Sequence, residues 1–264
     1  MHYVVCIKQV PETTDVKINP ETNTLMREGV QSIVNPFDTY AIEEALRLRE
    51  KVDGKVTVLT MGPPQAEAVL REAIAMGADE GILVSDRAFA GSDTWATSYT
   101  LAMAIRKLGD FDVLLFGKQA SDGDTAQVGP GVATHLDLPQ ITYVRKIEEF
   151  DEKHVVAERL LENGYEILES PVPCVLTVVK EINEPRLPSL KGKMKARKAE
   201  IATWTAAEIA AEETKIGLDG SPTKVVKIFT PPAREGGEIL QGEPDECVSR
   251  LVELLKETVV AANA

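Results

Sequence analysis

The stretch FDVLLFGKQASDGDTAQVG, from Phe111 to Gly129, decides how the chain is read. Phe111–Phe116 is apolar apart from Asp112 and predicts a strand, of the kind buried on both faces in a parallel sheet. From Gly117 onward the stretch combines glycines, small residues and one cation, Lys118. Thr125–Leu136 then predicts a helix, closed by Leu138-Pro139. Strand, glycine-containing loop and helix together are half of a βαβ unit.

The same grammar runs through the N-terminal side. Tyr3–Lys8 predicts a first strand, followed by a long loop to Asn35. Asp38–Lys51 predicts a helix, with Ala41, Ile42, Ala45, Leu46 and Leu48 at helical spacing. Val56–Met61 is a second strand, and Gly62-Pro63-Pro64 opens a helix through Met76. Gly81–Val84 is a third strand and Asp93–Leu108 a helix. The expected fold class is therefore α/β, a doubly wound, mostly parallel sheet.

Past about residue 140 the pattern changes. Ile141–Val144, His154–Leu161 and Tyr165–Glu169 predict neighbouring strands with turns at 151–153 and Asn163-Gly164, an antiparallel addition. Cys174–Val179 is a further strand, residues 181–201 a charged segment without apolar periodicity, Val225–Phe229 a late strand, and Asp245–Ala261 a terminal amphipathic helix. The expected organisation is a core over 1–180, a segment over 181–201, and a late strand with a C-terminal arm over 202–264.

Length and composition agree with this reading. The chain has 264 residues, 44% hydrophobic and only 5% aromatic, so its core is aliphatic. Its 42 acidic against 29 basic residues give a net charge of −13, a field that disfavours nucleic acid and anionic membranes. Cys6, Cys174 and Cys247 are far apart and lack metal-ligand spacing, as expected of free thiols in a reducing compartment. MHYVVCIKQV lacks a signal-peptide pattern, and no apolar span of about 20 residues occurs, so a cytoplasmic protein without a membrane span is expected. His2, His135 and His154 have no nucleophile arrangement around them, which points to chemistry carried by a bound cofactor.

Ligands of open α/β sheets bind beyond the carboxyl ends of the strands, at helix N-termini. Three expected helix starts share one dipeptide, Asp38-Thr39, Asp93-Thr94 and Asp124-Thr125, suited to N-capping. Gly117–Gly129 lets backbone N–H groups approach a phosphate. It lacks the general dinucleotide and P-loop motifs, and a plain βα turn fits equally. Ser85–Thr94 is longer than a βα connection needs; Arg87 there suits a phosphate or a ring, with Phe89 against it, and a solvated Arg with a locally buried Phe fits equally. Lys191–Lys198 is the basic patch of an acidic chain, a solvated loop or a docking segment.

Five segments, in this order and spacing, resemble electron-transfer flavoprotein beta subunits over essentially the full length. They are Val4–Pro11, Asn35-Pro36-Phe37, Met76-Gly77-Ala78-Asp79, Gly117-Lys118-Gln119-Ala120, and Asn183-Glu184-Pro185-Arg186 through Met194-Lys195-Ala196-Arg197-Lys198. The resemblance implies a Rossmann-like adenine-nucleotide fold. It places cofactor contacts on Cys6, Asn35, Pro36, Phe37, Asp38 and Met61, and on Gly117, Lys118, Gln119, Ala120, Ser121, Asp122, Gly123, Asp124, Thr125, Ala126, Gln127 and Val128. Simple members hold AMP there. Electron-bifurcating members hold FAD, take a hydride from NADH, and send one electron to ferredoxin or flavodoxin and one, through the alpha-subunit FAD, toward an acyl-CoA dehydrogenase. Ser85–Thr94 and Gly123–Pro130 resemble the bifurcating branch, which adds Arg87, Ala88, Phe89, Gly91, Asp93 and Thr94 to the expected contacts. The docking segment of the family maps to 184–198, with Leu190 as anchor and Leu187, Lys193 and Lys195 beside it. The C-terminal helix is expected against the alpha subunit. An ATP-consuming enzyme of the same broad fold predicts a Ser-Gly-Gly loop where Lys8-Gln9-Val10-Pro11 stands, and a nucleotide sensor is usually shorter and lacks residues 181–201.

Overall fold

Short apolar runs separated by amphipathic helices leave the sheet one arrangement, covered by helices on both faces. In the computed structural model, residues 1–12, 32–227, 237 and 239–262 are described. The elements in chain order are β1 (His2–Cys6), β2 (Gln9–Pro11), β3 (Ser32–Val34), α1 (Pro36–Val52), β4 (Lys55–Met61), α2 (Glu67–Met76), β5 (Glu80–Val84), α3 (Thr94–Leu108), β6 (Val113–Gly117) and α4 (Val128–Leu136). They continue with β7 (Gln140–Phe150), β8 (His154–Leu161), β9 (Gly164–Pro171), β10 (Cys174–Val178), α5 (Leu190–Lys198), β11 (Ala202–Trp204) and α6 (Pro244–Ala262). Two compact units result, Met1–Lys227 and Ile228–Ala264.

The first unit holds a nine-stranded sheet in the order β11-β5-β4-β1-β6-β10-β7-β8-β9. The pairs from β11 to β7 are parallel, and β7-β8-β9 is the antiparallel addition. Alternate residues of the central strands feed two cores. Tyr3, Val5, Val58 and Leu115 pack with Ile42 and Leu46 of α1 and with Leu70 and Ile74 of α2. Val4, Cys6, Leu59, Leu114 and Phe116 pack with Tyr99 and Ile105 of α3 and Val132 of α4. From β1 the chain winds outward to β4 and β5, then returns to place β6 on the other side of β1. Strand order therefore reverses between β1 and β6, and a crevice at their carboxyl ends is where such folds bind ligands.

Several expectations are corrected. The loop after β1 contains β2 and β3, paired antiparallel from Gln9↔Val34 to Pro11↔Ser32, and its residues 13–31 lie outside the described residues. Helix α1 starts at Pro36, capped at Asn35, because proline at the first position is preset for helix; Asp38 thus sits inside the first turn. Helix α4 starts at Val128, since Asp124 and Ala126 have φ of 53° and 54°, incompatible with a right-handed helix. Segment 181–201 contains α5, and Ala202–Trp204 then joins the sheet edge as β11. The late strand does not form over residues 225–227; 228–229 lie outside the described residues. The second unit contributes α6, close to its expected bounds.

Candidate functional site

At the switch point β1 ends in Cys6 and β6 in Gly117, and the N-terminus of α1 packs against both. The approach is so close that a side chain at Gly117 would put Cβ 2.6 Å from the Phe37 carbonyl carbon and 2.8 Å from the Asp38 nitrogen. Asp38 is 5% exposed. Its carboxylate accepts hydrogen bonds from the Lys8 N–H (2.7 Å), the Asn35 side-chain amide (2.9 Å) and the Gly117 N–H. Asn35 is 1% exposed. Its amide also donates to the Gln119 carbonyl (2.8 Å), and its oxygen accepts from the Ser121 N–H (3.0 Å). These two side chains therefore stitch the Gly117–Ser121 loop to β1 and α1, and their polar atoms are committed to that task. Cys6 lies beneath them; burial, then the Asp38 charge, pushes its thiol well above its ordinary value.

Burial pushes the Asp38 carboxyl up to about 7, against the hydrogen bonds that favour its ionised form. A carboxyl whose folded value exceeds its unfolded value costs stability when it ionises, so its contribution is full at low pH and is lost as pH rises to about 7. Asp38→Asn has no such slope. The stability difference between wild type and Asp38→Asn is expected to shrink as pH rises from about 4 toward neutrality, then level off. Urea denaturation across that window checks this; a constant difference contradicts it.

Beyond Ser121 the loop is exposed to solvent. The N–H groups of Gly123 and Asp124 bond to the Ala120 carbonyl (3.3 and 2.8 Å), and Gln119 donates its side-chain amide to the Asp124 carboxylate. Among the described residues, the N–H groups of Gln119, Ala120, Asp122, Thr125, Ala126 and Gln127 have no protein acceptor. Left-handed Ala126 followed by right-handed Gln127 is the alternation that turns successive N–H groups into one anion-binding concavity. A Cβ on Gly123 would meet nothing within 4 Å, so the loop is open to a ligand. Lys118 stands at its start, with Nζ over the Phe37 and Tyr143 rings. Met61 ends β4 and, with Lys8, Gln9, Gly62, Gln65 and Asp122, lines a crevice of about 120 Å³. Lys8 and Asp122, both in its lining, pair at 2.6 Å.

The Ser85–Thr94 loop meets this site at one end, where the Thr94 hydroxyl donates to the Gln127 side-chain oxygen (2.9 Å). Asp93 is the N-cap of α3, accepting from the N–H groups of Trp95 and Ala96 (2.9 and 3.1 Å). Although burial opposes ionisation, these bonds and those from Thr223 hold its carboxyl below the usual range. Phe89 is 5% exposed and packs into the core with Ile209 and Ile216, while Arg87, Ala88 and Gly91 are exposed. Residues 216–223 clasp the loop, a feature sequence reading missed: the Gly217 N–H donates to Ser92 Oγ (3.0 Å) and the Asp93 N–H to Ser221 Oγ (2.8 Å). Gly217, at φ 62° in a Gly-Leu-Asp-Gly run, was the available signal.

Segment 184–198 is anchored on its inner side. Arg186 binds Glu43 at 2.7 Å and Glu50 at 2.5 Å on α1. In α5, Gly192 approaches the Ala75 carbonyl too closely for a side chain, and Ala196 is buried. That leaves Leu187, Leu190 and Met194 exposed at 90%, 78% and 56%. Lys193 is exposed, whereas Lys195 donates to the Ala78 carbonyl (3.0 Å) and lies 3.7 Å from Asp79.

The electron transfer flavoprotein domain matches residues 22–209. The electron transfer flavoprotein subunit beta of Thermoanaerobacterium thermosaccharolyticum is 55% identical over 97% of this chain and 98% of its own. The caffeyl-CoA reductase-Etf complex subunit CarD of Acetobacterium woodii is 50% identical over 97% and 98%. Protein FixA of Sinorhizobium fredii is 50% identical over 89% and 85%. The chain belongs to the electron transfer flavoprotein family, among its beta subunits.

Proposed function

We propose that this chain binds FAD through the Gly117–Val128 loop. In complex with an alpha subunit, it passes electrons from NADH to ferredoxin or flavodoxin and, through the alpha-subunit FAD, to or from an acyl-CoA dehydrogenase in the cytoplasm. The observation that carries this reading is the run of unpaired amides at the sheet's switch point, joined by the Thr94–Gln127 bond to the Ser85–Thr94 loop. The loop's amides and Lys118 suit the diphosphate; the exposed Arg87 suits an electron-rich ring beyond it. Bound flavin supplies hydride acceptance and one-electron release. The chain's own part is to hold the phosphates with backbone N–H groups, to fix those groups through Asn35 and Asp38, and to place positive charge near the ring. A relative named as part of a caffeyl-CoA reductase-Etf complex supports an acyl-CoA partner.

Arg87→Ala tests the ring assignment. Losing ~1.4 kcal/mol of charge stabilisation lowers NADH-dependent reduction roughly tenfold, with FAD content retained. An unchanged rate rules Arg87 out of this role.

Leu187, Leu190 and Met194 support a docking role for segment 184–198, on the outer face of α5 and just before it. In α6, Val248, Leu251, Val252 and Leu255 form an exposed stripe at helical spacing, suited to the alpha subunit. Burying one leucine is worth about 1.5–3 kcal/mol. Leu190→Ala is therefore expected to raise the half-saturating concentration in dehydrogenase-coupled assays roughly tenfold, without changing cofactor content. Neutralising Lys193 flattens the salt dependence of the same assay; neutralising Lys195 also loosens α5 from Ala78. An unchanged half-saturation in Leu190→Ala places the anchor elsewhere.

A further inference from the structure

Tyr143, in β7, has a φ of 60°. The other non-glycine residues in that region, among those described, are Asp or Ala. A bulky aromatic side chain there is strained and persists only where its surroundings enforce it. Those surroundings are visible. The Tyr143 N–H donates to Thr177 Oγ1 at 3.1 Å, and the β7–β10 register shifts between Leu176 and Val178. The next carbonyl of β10, on Val178, accepts the Lys118 N–H at 2.8 Å. The strained residue of β7, the irregular pairing and the start of the Gly117–Val128 loop are thus one connected structure.

Its product is the placement of one charge. Lys118 Nζ lies 5.3 Å from the Tyr143 ring centroid and 5.7 Å from that of Phe37, within cation–π range of both. Lys8 and Lys195, by contrast, pair with Asp122 and Asp79; no carboxylate among the described residues pairs with Lys118. An aromatic face restrains an ammonium group without neutralising it, and restraint before binding lowers the ordering cost of binding.

We infer that Tyr143 is a positioning residue of the ligand site: its strained backbone sets the ring that, with Phe37, holds the Lys118 ammonium uncompensated at the head of the loop, facing a ligand phosphate. This role rests on the reading that the loop takes nucleotide phosphates.

The test uses the alpha–beta complex depleted of flavin, carrying Tyr143→Phe, Tyr143→Ala, Lys118→Met or the Lys118→Met/Tyr143→Ala pair. FAD titration, fitted to one site in each subunit, gives the Kd of the site in this chain. Mass spectrometry of the ligand-free complex gives the rate at which an N-hydroxysuccinimide acetate ester acylates Lys118. The expected results are a Kd raised roughly tenfold by Lys118→Met and about fivefold by Tyr143→Ala, no further loss in the pair, and near-wild-type binding by Tyr143→Phe, which keeps the ring. Lys118 acylation rises severalfold in Tyr143→Ala alone. If Tyr143→Ala does not fold, Tyr143→Gly, which adopts φ of 60° freely, takes its place. An unchanged Kd in Lys118→Met overturns the phosphate reading, and this role with it. A weakened Lys118→Met with unchanged acylation in Tyr143→Ala, or with additive losses in the pair, overturns the part of Tyr143 alone.

Discussion

Gly117→Ala is expected to lose both the bound cofactor and part of the fold's stability. The added Cβ would lie 2.6 Å from the Phe37 carbonyl carbon and 2.8 Å from the Asp38 nitrogen. Both obstacles are backbone of the first turn of α1, so no side-chain rotation relieves the clash. The helix must move away from β6. As it moves, the Asp38 carboxylate loses its bonds to the N–H groups of Gly117 and Lys8, and Asn35 loses its hold on Gln119 and Ser121. Overpacking of this kind costs about 2–3 kcal/mol. Thermal unfolding and nucleotide content after purification check it; a variant with wild-type melting and a full cofactor complement contradicts the account of this junction.

Gly123→Val is expected to separate those two effects. A Cβ on Gly123 meets nothing within 4 Å in the protein, and Gly123 does not rely on a positive φ. Valine there leaves the fold intact and fills the space into which the neighbouring N–H groups open. Preventing two charge-assisted hydrogen bonds of about 1.5–3 kcal/mol each weakens nucleotide binding roughly a hundredfold or more. Unfolding midpoints should match wild type while nucleotide content falls toward zero. Normal content with normal stability would remove the loop from the binding site.

The contrast between the two glycines shows what the sequence exposes and what it hides. The βα alternation is legible because strands buried on both faces read as unbroken apolar runs, as in Val113–Phe116. The loop proposed to take the ligand is legible too, since Gly117 and the residues after it interrupt that alternation where the strand order turns. The work done by individual residues is less so. Asn35 and Asp38 look like ligand contacts beside a helix start, yet their partners are 84 and 86 positions away for Asn35 and 30 for the Lys8–Asp38 bond. No local pattern encodes those pairings. Asp124-Thr125 has the chemistry of a helix cap, but the left-handed backbone at 124 and 126 delays α4 to Val128 and frees the amides between. Helix α5 escaped periodicity because it packs through Gly192 and Ala196 rather than through an apolar stripe. The strain at Tyr143 depends on Thr177, 34 residues away.

On the proposed function, this chain itself carries a flavin. Acid extraction of the purified alpha–beta complex, with chromatographic quantification of FAD and AMP, decides whether it does. The expected result is two FAD per complex and no AMP, with one FAD lost in Gly123→Val. One FAD together with one AMP in the wild-type complex would contradict it.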